Sequence, residues 1–152
     1  MAIAVVYFTR TGNAERIAEK INESVKGDLI KLKDKQKWRG FFGYMNGGRH
    51  AIKQKIVDTY TEPDVDLATY DSIILITPMW AGNLPPATYS YLKQHPKITK
   101  KTRLVVQSAG TDATTYREKF ESYVGKFIKI YSISRSQKEE ATIIEQIISD
   151  IK

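Results

Sequence analysis

Ile3-Ala4-Val5-Val6-Tyr7-Phe8-Thr9-Arg10-Thr11-Gly12-Asn13-Ala14 contains the change of hydrophobic period that decides the fold. From Ile3 to Phe8 the run is apolar without alternation, as in a strand buried on both faces. Polar turn residues follow. Beyond Gly12, the apolar residues Ala14, Ile17, Ala18, Ile21 and Val25 recur at helical spacing, with Arg16, Glu19, Lys20 and Asn22 on the other side. The pattern predicts a central strand, a short turn and an amphipathic helix ending near Gly27.

The rest of the chain repeats that alternation. A short second strand is expected over Asp28–Lys33, a buried third over Ser72–Thr77, a fourth at Leu104–Val106 and a fifth over Phe127–Tyr131. Leu84-Pro85-Pro86 opens a helix, because proline is tolerated in a first turn. Tyr116, Phe120, Tyr123 and Val124 mark another helix, and Ile143, Ile144, Ile147, Ile148 and Ile151 stripe the last. Strands alternating with helices predict a doubly wound α/β domain, a parallel sheet covered on both faces. The length of 152 residues suits one domain, 1–152, and 41% hydrophobic residues suffice for its core. The departure is an irregular basic excursion at about 34–58, where Gly40, Gly43, Gly47 and Gly48 weaken any crossover helix.

Ligands of open parallel sheets bind outside the carboxyl ends of the strands, where strand order reverses. Three loops therefore concentrate the candidate residues. The first, Thr9-Arg10-Thr11-Gly12-Asn13-Ala14, offers hydroxyls, a glycine and the N–H groups of a helix N-terminus, a combination suited to a phosphate. Read plainly it is also a capped strand-to-helix turn. The second runs Pro78-Met79-Trp80-Ala81-Gly82-Asn83, and the third includes Ser108, Ala109, Gly110, Thr111 and Asp112.

Thr9-x-Thr11-Gly12-Asn13-Ala14 resembles the phosphate loop of flavodoxins. Tyr70-Asp71 ahead of a strand ending in Thr77-Pro78-Met79-Trp80-Ala81-Gly82, then Leu84-Pro85-Pro86, resembles their second flavin loop. The resemblance is strongest over residues 1–26 and 70–112 and weakest in the basic excursion. It implies a five-stranded parallel sheet of order 2-1-3-4-5, the flavodoxin order. It further implies FMN as cofactor, its phosphate in the first loop and Trp80 against the isoalloxazine ring, a π-surface on which an aromatic side chain can stack. The alternative for Trp80 is an edge-of-core aromatic. Two departures stand out: Ala14 occupies a position where many flavodoxins carry a further hydroxyl on the phosphate, and no second aromatic precedes Tyr116 in the third loop. The opposite ring face is then left to a substrate or to Trp38, Phe41 or Tyr44 of the excursion.

Other chemistries are excluded by what is missing. Cysteine is absent, removing disulfides, thiolate metal sites and cysteine nucleophiles. Neither a G-x-G-x-x-G fingerprint nor a Gly-Lys-Ser/Thr phosphate loop is present, and Thr77-Pro78 stands where a receiver domain needs an aspartate. His50 and His95 fall in separate loops without a carboxylate pattern, and Glu139-Glu140 read as a solvated helix face. No stretch is long enough for a signal core or a membrane span, so no membrane insertion and a cytoplasmic setting are expected.

Charge is concentrated. Lys31, Lys33, Lys35, Lys37, Arg39, Arg49, Lys53 and Lys55 against Asp34 alone account for the whole net charge of +7. The leading expectation is an FMN-dependent electron carrier that docks an acidic redox partner protein. A small NAD(P)H or quinone reductase is the alternative, because space over the ring would admit a second planar substrate. A flavin-free module docking an acidic partner or nucleic acid through residues 31–55 is the third; no recognised nucleic-acid motif accompanies the basic stretch.

Overall fold

The computed structural model describes residues 1–34, 45, 49, 56–134 and 137–152. Strand β1 (Ile3–Tyr7) lies at the middle of the sheet, paired in parallel with β2 (Asp28–Asp34) on one side and β4 (Ser72–Pro78) on the other. Val5 is level with Leu29 and with Ile74. Strands β5 (Thr102–Gln107) and β6 (Lys129–Ile133) extend the sheet in parallel beyond β4.

The unbroken apolar runs are explained by the two-residue period of a strand. Ala4, Val6 and Phe8 join Ile73, Leu75, Leu104 and Val106 in one buried cluster. Val5 and Tyr7 join Ile74, Ile76 and Val105 in another, across the sheet. Helix α1 (Asn13–Val25) closes the second face with Ala14, Ile17, Ala18 and Ile21, beside α5 (Gln137–Ile151) with Ile144 and Ile147. The first face is covered from α2 (Pro86–Gln94), the short α3 (Pro96–Thr99) and α4 (Arg117–Val124), through Ala87, Leu92, Ile98, Phe120 and Val124. Pro86 opens α2 in its first turn.

Among the described residues the sheet has six strands, in the order β3-β2-β1-β4-β5-β6, which corrects the expected five. Five are parallel; β3 (Thr59–Glu62) is added antiparallel to β2 at the edge. It spans four residues with only Thr61 buried, so it lacks the apolar run that revealed its neighbours. Lys33 ties it to β2 through Glu62 at 3.2 Å. The fifth predicted strand is also displaced, to Lys129–Ile133. Phe127 is buried while Ile128 is 44% exposed, and the Phe127 N–H donates to Glu121 Oε2 at 2.8 Å. That segment is an anchor before the strand.

A second correction concerns Glu140. Instead of a solvated face, its side chain is buried between α5 and α1, with Oε1 2.8 Å from an Arg16 guanidinium nitrogen and Oε2 3.9 Å from Lys20 Nζ. Two cations of α1 draw the carboxylate inward. Among the described residues, no helix is long and apolar enough to cross a membrane.

Candidate functional site

The first loop leaves the end of β1 with Thr9 and Arg10 half-buried and Thr11, Gly12 and Asn13 exposed. Gly12 has φ +98°, the left-handed region that favours glycine, and nothing lies within 4 Å of where a Cβ would stand. Its N–H donates to Thr9 Oγ1 at 2.8 Å, leaving the Thr9 hydroxyl proton free to point elsewhere. The helical ladder begins with Arg16 N–H to Gly12 O at 3.1 Å. The N–H groups of Asn13, Ala14 and Glu15 precede that bond and have no acceptor within the helix. Three donors, the positive end of α1 and open space at Gly12 make an anion cradle.

Ala14 contributes to that cradle through its backbone alone. Its methyl is 2% exposed and packs in the core beneath α1. The side chain at this position therefore faces the α1–sheet packing, a constraint on any hydroxyl placed there.

The second loop is a tight hairpin. Trp80 N–H donates to Asn83 O at 2.8 Å and Asn83 N–H to Trp80 O at 2.9 Å, while Ala81 and Gly82 between them have φ of +51° and +74°. Positive φ at both central residues is the two-residue turn that matches strand twist. The Asn83 amide donates to Ala81 O at 3.0 Å and is buried. Ala81 is exposed at the tip; Pro78, Met79 and Gly82 are half-buried. Trp80 is 8% exposed and packs edge-on against Phe8, ring centroids 5.7 Å apart. In this structure it packs as an edge-of-core aromatic at the base of the turn.

In the third loop, Ser108 is buried, its N–H donating to Ile133 O at 2.9 Å and its hydroxyl to Thr111 O. Ala109, Gly110 and Thr111 are exposed, and Gly110, at φ +88°, has nothing within 4 Å of a would-be Cβ. Asp112 is engaged locally. Its carboxylate accepts from Thr114 Oγ1 at 2.6 Å and Thr114 N–H at 3.0 Å, capping the 3₁₀ turn Ala113–Tyr116, and those bonds hold it below the usual carboxylate range. Its side chain acts as a cap, a role the sequence reading missed.

The three loops thus lie at the carboxyl ends of the adjacent strands β1, β4 and β5. Trp38, Phe41 and Tyr44, the expected cover of the second ring face, lie outside the described residues, as does most of the basic excursion. Two unexpected residues reach the second loop instead. A Cβ at Gly82 would meet the Tyr116 ring at 3.5 Å, and Lys119 Nζ donates to Gly82 O at 3.1 Å. Tyr116 was visible in the sequence as part of a helical stripe and as the first aromatic after the third loop, and nothing marked Lys119.

No family model matches the chain. A protein of Archaeoglobus fulgidus, described as uncharacterized, is 27% identical over 120 residues, covering 79% of this chain and 74% of its own. Solved structures are more informative about shape. A Lactobacillus acidophilus NCFM flavoprotein in complex with FMN superposes with a TM-score of 0.73 at 21% identity, over 86% of this chain and 92% of that one. A putative flavoprotein of Bacteroides uniformis reaches 0.73 at 16% identity, over 96% and 97%. A Fusobacterium nucleatum flavodoxin bound to flavin mononucleotide gives 0.56 at 14% identity, over 99% and 96%. The fold is flavodoxin-like.

Proposed function

We propose that this chain binds FMN across the carboxyl ends of β1, β4 and β5 and works in the cytoplasm as an electron carrier of the flavodoxin kind. The observation that carries the reading is the cradle at Gly12: helix N-terminal donors without a side-chain cap, a threonine hydroxyl and open space. The residues present fit the group. Thr9, Thr11, Asn13 and the N–H groups of α1 would hold the phosphate, and Arg10 adds positive charge beside it. Exposed Ala109 and Gly110 present backbone to a planar ring, with open space where a Gly110 side chain would stand. Two of the structural relatives hold FMN. Bound there, it would supply reversible electron transfer that a chain without cysteine has no side chain to provide.

The excess charge of Lys31–Lys55 favours an acidic redox partner over a neutral one, because charge steering acts on encounter. NAD(P)H as a direct donor is the competing arrangement. The test is paired titration of the purified protein with FMN and riboflavin. FMN is expected to bind at least tenfold more tightly, and Gly12→Val, which forces a branched side chain into the left-handed region, should weaken FMN while leaving riboflavin nearly unchanged. Equal affinity for the two flavins overturns the phosphate assignment. Steady NAD(P)H turnover without a partner protein would replace the carrier with a reductase.

A further inference from the structure

Both carbonyls at the tip of the second loop are held by side chains. Ala81 O accepts from the Asn83 amide at 3.0 Å, a brace within the turn. Gly82 O accepts from Lys119 Nζ at 3.1 Å, across 37 residues of sequence. The lysine is not loosely placed. Its ammonium stands 5.7 Å from the centre of the Tyr116 ring, which stacks on Phe120 at 6.0 Å and 18°, and Phe120 is wholly buried. The Tyr116 ring in turn abuts Gly82 where a Cβ would stand. A half-buried cation is therefore fixed to a strand-end loop by a charge-assisted hydrogen bond, a cation–π contact and a stacked pair rooted in the core.

We propose that Lys119 is a positioning residue that latches the second loop through the Gly82 carbonyl, and that its charge favours the reduced form of a flavin held by that loop. The second half rests on the proposed FMN site. Reduction adds negative charge to the flavin, and a fixed cation nearby stabilises the more negative state. The latch acts on the loop itself, so it operates with or without cofactor.

Three variants separate the two effects: Lys119→Met removes donor and charge, Lys119→Gln keeps a donor without charge, and Lys119→Arg keeps both. In flavin-free protein, amide exchange over residues 79–84 should quicken several-fold in Lys119→Met and stay near wild type in Lys119→Arg. Unchanged exchange in Lys119→Met overturns the latch. In separate flavin titrations, Lys119→Met should weaken FMN and riboflavin by the same factor, about three- to tenfold, because the loop faces the ring and not the phosphate. Loss for FMN alone would overturn the ring-side placement. Lys119→Met and Lys119→Gln should each bind reduced FMN about tenfold less well relative to oxidised FMN, a fall of about 30 mV for a two-electron couple. Potentials equal to wild type in both variants overturn the charge effect. Absence of FMN binding by the wild type would overturn the functional reading and the potential claim together, while the exchange measurement still decides the latch.

Discussion

Trp80 joins two kinds of constraint in one residue. Its backbone closes the second-loop turn with Asn83, and its ring fills a place in the core beside Phe8. A tryptophan that only lined a ligand would be dispensable to the empty protein. One packed to 8% exposure is not. Trp80→Ala is therefore expected to destabilise flavin-free protein by about 3–5 kcal/mol, the cost of removing a large buried aromatic, as read from urea denaturation midpoints. A loss below about 1 kcal/mol would return the residue to the role of a ligand wall. The sequence could not decide between these roles, because Pro78-Met79-Trp80-Ala81-Gly82 specifies a turn at a strand end but not which way a ring at its base is directed. Ala14 and Asp112 show the same limit: residue type and loop were legible, side-chain direction was not.

Helices and strands were more legible where burial is two-sided. β1 and β4 stood out as uninterrupted apolar runs, and α1 as a clean stripe of Ala14, Ile17, Ala18 and Ile21. β3 escaped because an edge strand with one buried residue leaves almost no hydrophobic pattern. Partner choice between elements was also invisible, as at the base of β6. There Tyr131 donates to Asp150 Oδ2 of α5 at 2.8 Å and Lys129 reaches the same oxygen at 3.0 Å. Burial, then the Asp150 bond, pushes the Tyr131 phenol up to about 12, and burial does the same to Tyr91. The folded state thus holds each phenol's proton more tightly than the unfolded chain, whose tyrosines titrate near 10. Their contribution to stability is intact below pH 10 and lost as pH rises toward 12. Denaturation midpoints measured from pH 8 to 11 should fall less steeply in Tyr131→Phe than in wild type. Parallel slopes would show that this phenol ionises equally well in both states.

At the scale of the whole molecule, Asp34 at the end of β2 is level with Thr59 at the start of β3, in an antiparallel pair. The chain between them departs and returns at neighbouring points on one sheet edge. Val57 is tied down separately, its N–H donating to buried Ser90 Oγ at 2.9 Å. In the language of protein engineering, Asp34 and Thr59 are splice points already side by side, and the sequence between them is a cassette. Exchanging it for a short polar turn should preserve one cooperative unfolding transition. Each halving of a loop lowers its closure cost by about 0.6 kcal/mol, so the shortened protein should be no less stable, as calorimetry would show. Loss of a single transition would mean that the sheet edge depends on the segment it releases. If the transition survives, segments of other charge and length can be grafted at the same splice points without touching the three loops at the strand ends.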